Sequence, residues 1–555
     1  MPFAKRQRMY TREMKRASRA IFIPALSIVP FMARDRFDLE GQQGASFLST
    51  SCDSDRDPIS VVKDKVVATS PNGESLDTKG LKLSTKEENV IKFVTELCFE
   101  LDPDQVDVSP EECEQRGKPW NSYHQIKNYP DVIVTPYSTD DVSKIAKLCF
   151  KYDIPIVPFG GGTSLEGQTL SPKGGCSLDF NKMREIVELN EVDLDVTVQA
   201  GIGYVELNDI LKKKGVPLWF PLDPGPGASV GGMCGTRCSG STAVRYGSMR
   251  ENVLNMTAVL ADKDGTVIKT GSRARKSSAG YDLTRLLVGS EGTLAIITEA
   301  TLKLHPIPRY SYALRIAFPS VFEASCCARD TLSCGVTVGR CELLDEMTIK
   351  DINLANPELP GGAWEEEVTL LYELTGPSDS AVREQIEIVR DIAAKNKGTK
   401  FVVATEPEEV SLIWKTRKEC LWSVMSQRPD MEPMITDVCV PLSNLPKLIQ
   451  ESREEIDKSF LHAPVIAHAG DGNFHTLIMF RPNKEEEYKE AIRLAHMMAD
   501  KAIALGGTCT GEHGVGVGKK YHLRKEMGEG SMKVMGQIKD TLDKKKILNP
   551  TKVLD

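Results

Sequence analysis

His468, Asp471, Gly472, Asn473 and His475, in the segment H-A-G-D-G-N-F-H, stand upstream of Glu512 and His513 in T-C-T-G-E-H-G-V-G-V-G-K-K. Together these residues can build a metal-assisted acid–base site. Two imidazoles and a carboxylate suit a divalent cation, and one imidazole is left over to move a proton. The small and turn-forming residues between His468 and His475 allow a sharp loop that brings both rings to one side. No Cys pair stands beside them at short spacing, so a zinc finger is not implied. The histidines are also too far apart for the adjacent helical turns of H-E-x-x-H. Glu512 and His513 are neighbours and generally cannot do the same job, so one binds metal while the other faces substrate. The plainer alternative is that such histidines cap turns or sit satisfied in a core. Three of the eight histidines of the chain fall in these two glycine-rich loops, which favours the chemical reading.

Loops of this kind need rigid elements on either side. Val132 to Pro136 reads as a strand, Thr139 to Tyr152 as an amphipathic helix with a Thr/Asp start, and Pro155 to Pro158 as a second strand. That unit runs into Gly160-Gly161-Gly162-Thr163-Ser164, where backbone N–H groups can cradle a pyrophosphate without side-chain obstruction. A lone glycine run is often only a turn. Here a second one, Asp223-Pro-Gly-Pro-Gly-Ala-Ser-Val-Gly-Gly232, is followed by Gly240, Ser241, Arg245, Tyr246 and Gly247. Two such loops can enclose one long dinucleotide. Neither is a G-x-G-x-x-G fingerprint, and Gly518-Lys519 lacks the flanking residues of a P-loop, so Rossmann NAD and Walker ATP sites are disfavoured.

A length of 555 residues implies two or three domains, and 41% hydrophobic with 27% charged residues is ordinary for a soluble enzyme. The net charge of −8 argues against nucleic-acid binding. The fourteen cysteines are scattered and read as mostly reduced thiols of an intracellular compartment. Near the N-terminus Lys5, Arg6, Arg8, Arg12, Lys15, Arg16 and Arg19 are opposed only by Glu13, the balance of a mitochondrial presequence. The apolar stretch from Ile21 to Met32 is short and broken by Pro24 and Pro30, a poor membrane span. Residues 49–85 lack sustained periodicity, so folding is expected to begin near Glu87.

Several ordered motifs go further: P-F-G-G-G-T-S-L-E-G at 158–167, V-G-G-M at 230–233, R-Y-G-S at 245–248 and V-G-S-E-G-T-L-A-I-I-T-E at 288–299. With the two histidine segments, they resemble the FAD-linked D-2-hydroxyacid dehydrogenases of the vanillyl-alcohol-oxidase type, from about Tyr123 to Val553. The stretches W-K-T-R-K-E-C-L-W at 414–422 and I-T-D-V-C-V-P-L-S at 435–443 are most similar to the lactate-oxidising members. Relatives acting on D-2-hydroxyglutarate carry a Lys just ahead of the Asp that Asp437 matches. Here Ile435 and Thr436 stand there, which favours a small monocarboxylate.

The resemblance implies an α+β fold with a two-part FAD-binding domain of the p-cresol-methylhydroxylase (PCMH) type over 126–306. An α+β cap with an antiparallel sheet would follow over 308–518, and a segment at 519–555 would return to the FAD domain. Residues 1–86 would form the presequence and a poorly ordered region. It further implies non-covalent FAD held by Pro158, Gly160, Gly161, Gly162, Thr163, Ser164, Gly231, Gly232, Ser241, Gly247, Glu291, Gly292, Ile296 and Asn549. A divalent metal, Zn²⁺ or Mn²⁺, would be held by His468, His475 and Glu512. His513 would serve as base, and Arg417 as clamp on the substrate carboxylate. The expected reaction is oxidation of D-lactate to pyruvate with cytochrome c as electron acceptor, in a possible homodimer. Glycolate, 2-hydroxybutyrate or D-2-hydroxyglutarate are the alternative substrates, and a non-catalytic electron-transfer flavoprotein subunit is the alternative of another class.

Overall fold

The computed structural model describes residues 85–119, 121–124, 126–359 and 362–554. The basic leader expected at the N-terminus lies outside them. Among the described residues no helix is long and apolar enough to cross a membrane, and every cysteine is a free thiol.

The helix expected over Thr139–Tyr152 forms over those residues. Ser138 caps it by accepting from the Asp141 N–H, Asp140 and Asp141 sit at the positive end of its dipole, and Asp153 closes it in the left-handed region. Its buried stripe, Val142, Ile145, Ala146 and Cys149, recurs every third or fourth residue and faces a core.

Strands β1 (Val106–Asp107), β2 (Val132–Val134), β3 (Ile156–Phe159) and β4 (Cys176–Asp179) make a mixed sheet in the order β1-β2-β4-β3. Its parallel pairs are β2 with β4 and β3 with β4. A second, antiparallel sheet uses β5 (Ile186–Asn190), β6 (Asp195–Gln199), β8 (Val253–Val259), β9 (Val267–Lys269) and β10 (Ile296–Lys303), ordered β5-β6-β10-β8-β9. The proline-interrupted stretch after β10 is not a free connection. Its strand β11 (His305–Pro306) pairs with β7 (Leu218–Trp219).

The remaining strands, β12 (Tyr310–Phe318), β13 (Val338–Leu344), β14 (Val368–Gly376), β15 (Lys400–Ala404), β16 (Glu432–Ile435), β17 (Val438–Cys439), β18 (Val465–His468) and β19 (Asn473–Phe480), form one antiparallel sheet. The order is β15-β12-β14-β13-β18-β19-β16, with β17 on β19. Strand alternation gives this sheet two unlike faces. Leu314, Ile316, Cys341, Leu343, Leu370, Tyr372, Ala467 and Phe474 enter one large core with helices Val321–Ser333, Asp379–Lys395, Leu445–Ile456 and Glu485–Ala504. The other face carries a smaller apolar cluster around Leu344, Leu371, Ile466 and Trp414, interrupted by the polar side chains Arg340, Glu342, His468 and His475. That interruption is where the site lies.

After helix Lys520–Leu542 the chain runs back beside β3. Ile156 N–H donates to Ile547 O at 2.7 Å, and Asn549 N–H donates to Ile156 O at 2.7 Å.

Candidate active site

His468 ends β18, His475 lies in β19, and the tight turn between them makes the pair a hairpin in which His468 faces Asn473 and Ile466 faces His475. Both rings therefore project from one face. Gly472 makes the turn possible: its φ is +77°, and a Cβ there would sit 2.2 Å from Val440 O. Glu512 reaches the hairpin from a distant loop, its Oε1 3.2 Å from both His468 Nε2 and His475 Nε2. Each histidine turns its other nitrogen to an acceptor, His468 Nδ1 to Glu342 at 2.8 Å and His475 Nδ1 to the Thr436 carbonyl at 3.0 Å. Acceptors at Nδ1 favour the proton there, so that with a divalent cation bound both Nε2 atoms and Glu512 would supply its donor set. Glu512 Oε2 accepts from Ser239 Oγ at 2.6 Å, so the glycine-rich half of the molecule braces the third ligand.

His513 stacks on His475 with ring centroids 4.9 Å apart, and its Nε2 is 4.0 Å from Glu512 Oε1. Burial lowers its pKa, the nearby Asp437 carboxylate notwithstanding, so the ring is neutral and can accept a proton at neutral pH. The loop carrying these residues is pinned by Asp437. Its Oδ2 accepts from the N–H groups of Glu512 and His513, both at 2.9 Å, and from Thr510 Oγ1 at 2.8 Å, while Oδ1 accepts from Asn473 Nδ2 at 2.8 Å. Burial works against its charge, but surrounding cationic charge, that of Lys519 included, outweighs that and holds Asp437 well below the usual carboxylate range. Asp437 is saturated with donors and serves as the scaffold of the loop.

The two glycine segments meet. Gly161 N–H donates to Ser229 Oγ at 3.2 Å, Gly227 lies against Thr163, and Gly231 N–H donates to Ala200 O at 2.7 Å. Contact is closest at Gly161, where a Cβ would be 1.8 Å from Gly227 O. Pro158, Gly292 and Asn549 converge nearby, Asn549 Nδ2 donating to Glu291 O at 2.7 Å. The Glu291 carboxylate accepts the Val515 and Gly516 N–H groups at 2.7 and 2.8 Å, tying this corner to the His513 loop. Burial raises Glu291 to about 7 despite those bonds. Asn549 Oδ1 and Ser290 Oγ are buried without a protein partner, polar atoms that a dinucleotide cofactor can satisfy. Ser164 O accepts from Asn121, and Gly232 lies near Ser229. Three further positions are otherwise engaged: Ser241 donates to Asp223 at 2.8 Å, Gly247 N–H bonds Ala243 O, and Ile296 is buried at the start of β10. Gly161→Ala should force the two loops apart at a cost of about 1–3 kcal/mol, roughly a tenfold to hundredfold loss of FAD affinity. A flavin-to-protein ratio equal to wild type on dilution would refute this use of the loop.

Arg417 lies in helix Pro407–Lys418 above the same sheet face, with Nη2 2.6 Å and Nε 2.9 Å from Glu342 Oε2. In this structure its partner is a protein carboxylate. Sequence reading missed Glu342 and the scaffold role of Asp437. The signal for Glu342 is a carboxylate within the otherwise apolar C-E-L-L run of β13, which a buried strand tolerates only when paired.

Residues 130–271 match the FAD binding domain family, and residues 307–553 match the family described as FAD linked oxidases, C-terminal domain. The mitochondrial D-lactate dehydrogenase [cytochrome] of Arabidopsis thaliana is 53% identical over 438 residues, 79% of this chain and 76% of that protein. The enzyme of that name from Kluyveromyces lactis is 41% identical over 477 residues, 84% of this chain and 81% of that protein. Among solved structures, p-cresol methylhydroxylase with substrate bound superposes with a TM-score of 0.66 at 18% identity, covering 86% of this chain and 98% of that one. At that identity the likeness establishes the PCMH-type fold.

Proposed function

The chain belongs to the FAD-linked oxidases, and from that premise we propose that it oxidises D-lactate to pyruvate on FAD and passes the electrons to cytochrome c in the mitochondrion. The observation that carries the reading is the convergence of His468, His475 and Glu512 beside His513, whose ring stacks on His475. Arg417 holds the substrate carboxylate through the guanidinium edge that Glu342 does not use. His513 takes the hydroxyl proton at Nε2, the nitrogen nearer Glu512, while the α-hydrogen departs with its electron pair. FAD held by the Pro158–Ser164 segment, Gly231, Gly232 and Asn549 would supply the acceptor for that hydride equivalent. Zn²⁺ or Mn²⁺ held by His468, His475 and Glu512 supplies Lewis-acid polarisation of a hydroxyl. Ile435 and Thr436, ahead of Asp437, bring no cation for a second carboxylate, and Thr436 is engaged with Thr476 and His475.

A panel of 2-hydroxyacids assayed with an artificial electron acceptor tests this. D-Lactate should give the highest kcat/KM, and cytochrome c should replace the dye, with a rate that falls as salt screens the acidic body from a basic partner. A preference for D-2-hydroxyglutarate or glycolate would reassign the substrate, and no turnover with any acid would leave only an electron-transfer subunit.

A further inference from the structure

We propose that Glu342 is a positioning residue whose one carboxylate orients both the His468 ring that receives the divalent cation and the Arg417 guanidinium that receives the substrate carboxylate. The inference rests on the function proposed above. In β13 the side chain of Glu342 stands opposite His468 of β18, on the face that carries the histidine hairpin. Glu342 is wholly buried. Its Oε1 and Oε2 lie 2.8 Å and 3.0 Å from His468 Nδ1, and Oε2 also lies 2.6 Å and 2.9 Å from Arg417 Nη2 and Nε. The carboxylate thus fixes the imidazole tautomer that presents Nε2 toward Glu512. Oε2 also holds one edge of the guanidinium, through Nη2 and Nε. The two ligand-binding groups lie 51 positions apart in sequence (468 − 417) and share this one acid. An isosteric amide cannot replace it: Gln is uncharged and, whichever way it turns, puts an NH₂ donor in place of one of the two oxygens that face His468 Nδ1.

A purely architectural Glu342, pinning helix Pro407–Lys418 to the sheet, would affect stability without changing what the site binds. The two roles separate in Glu342→Gln, purified with FAD, stripped of divalent cation and titrated with Zn²⁺ against a chromophoric chelator. Zn²⁺ affinity should fall about 10- to 100-fold, and KM for D-lactate at saturating Zn²⁺ should rise by a larger factor than kcat falls. Glu342→Asp, which keeps both oxygens on a shorter arm, should lie between Gln and wild type on both measures. Zn²⁺ affinity and KM unchanged in Glu342→Gln would overturn the positioning role. If that variant fails to fold, the same unchanged pair of values in Glu342→Asp would overturn it. Wild-type protein that binds no Zn²⁺ would instead overturn the metal reading on which the inference stands, a separate outcome in the same titration.

Discussion

Replacing His513 by alanine is expected to slow the reduction of bound FAD by D-lactate at least about a hundredfold, the ordinary contribution of a positioned base. The loop should survive, because Asp437 holds it through backbone N–H groups that the substitution leaves in place. Flavin content and Zn²⁺ affinity should therefore stay near wild type, which separates a lost base from a collapsed site. The pH dependence has a definite sign. Burial lowers His513 from the ordinary value of 6.5, so its base form persists to lower pH than a free imidazole would allow. Wild-type flavin reduction should stay flat down through that value and fall only in more acid solution. A near-normal rate for His513→Ala in anaerobic stopped flow would reject the assignment.

Glu512→Gln is expected to cost still more. The substitution removes the only anionic member of the His468–His475–Glu512 group and weakens the acceptor for Ser239. Loss of Lewis-acid assistance is worth several kcal/mol, which at about 1.4 kcal/mol per factor of ten is on the order of a thousandfold in turnover. Elemental analysis of untagged protein should show the cation gone while FAD remains. Turnover within about tenfold of wild type in protein shown to lack the cation would remove the metal from the mechanism.

The contrast between these residues and Glu342 shows what the sequence makes legible. His468, His475, Glu512 and His513 stand in or beside short segments rich in glycine and small polar residues, and their types name their chemistry. The helix Thr139–Tyr152 was equally readable, since cap, dipole charges and apolar stripe all agree. Glu342 and Asp437 are different. Their importance lies in what tertiary folding brings beside them, His468 across the sheet from 126 residues away and the N–H groups of the Glu512–His513 loop from 75 and 76. No local pattern encodes that pairing. Arg417 lies between the two cases: the W-K-T-R stretch marked it, but its bond to Glu342 emerges only when the helix packs on the sheet. The pairing of His305–Pro306 with Leu218–Trp219 is long-range in the same way, and no local pattern in either segment announces it.

The most direct test is a single anaerobic turnover. Cation-loaded wild-type protein is mixed with D-lactate while the absorbance of bound flavin is followed, beside protein stripped of cation with its FAD intact. The flavin of the loaded protein should bleach fully and fast, and that of the stripped protein much more slowly. Flavin that stays oxidised in D-lactate, or that bleaches equally fast without the cation, would contradict the account.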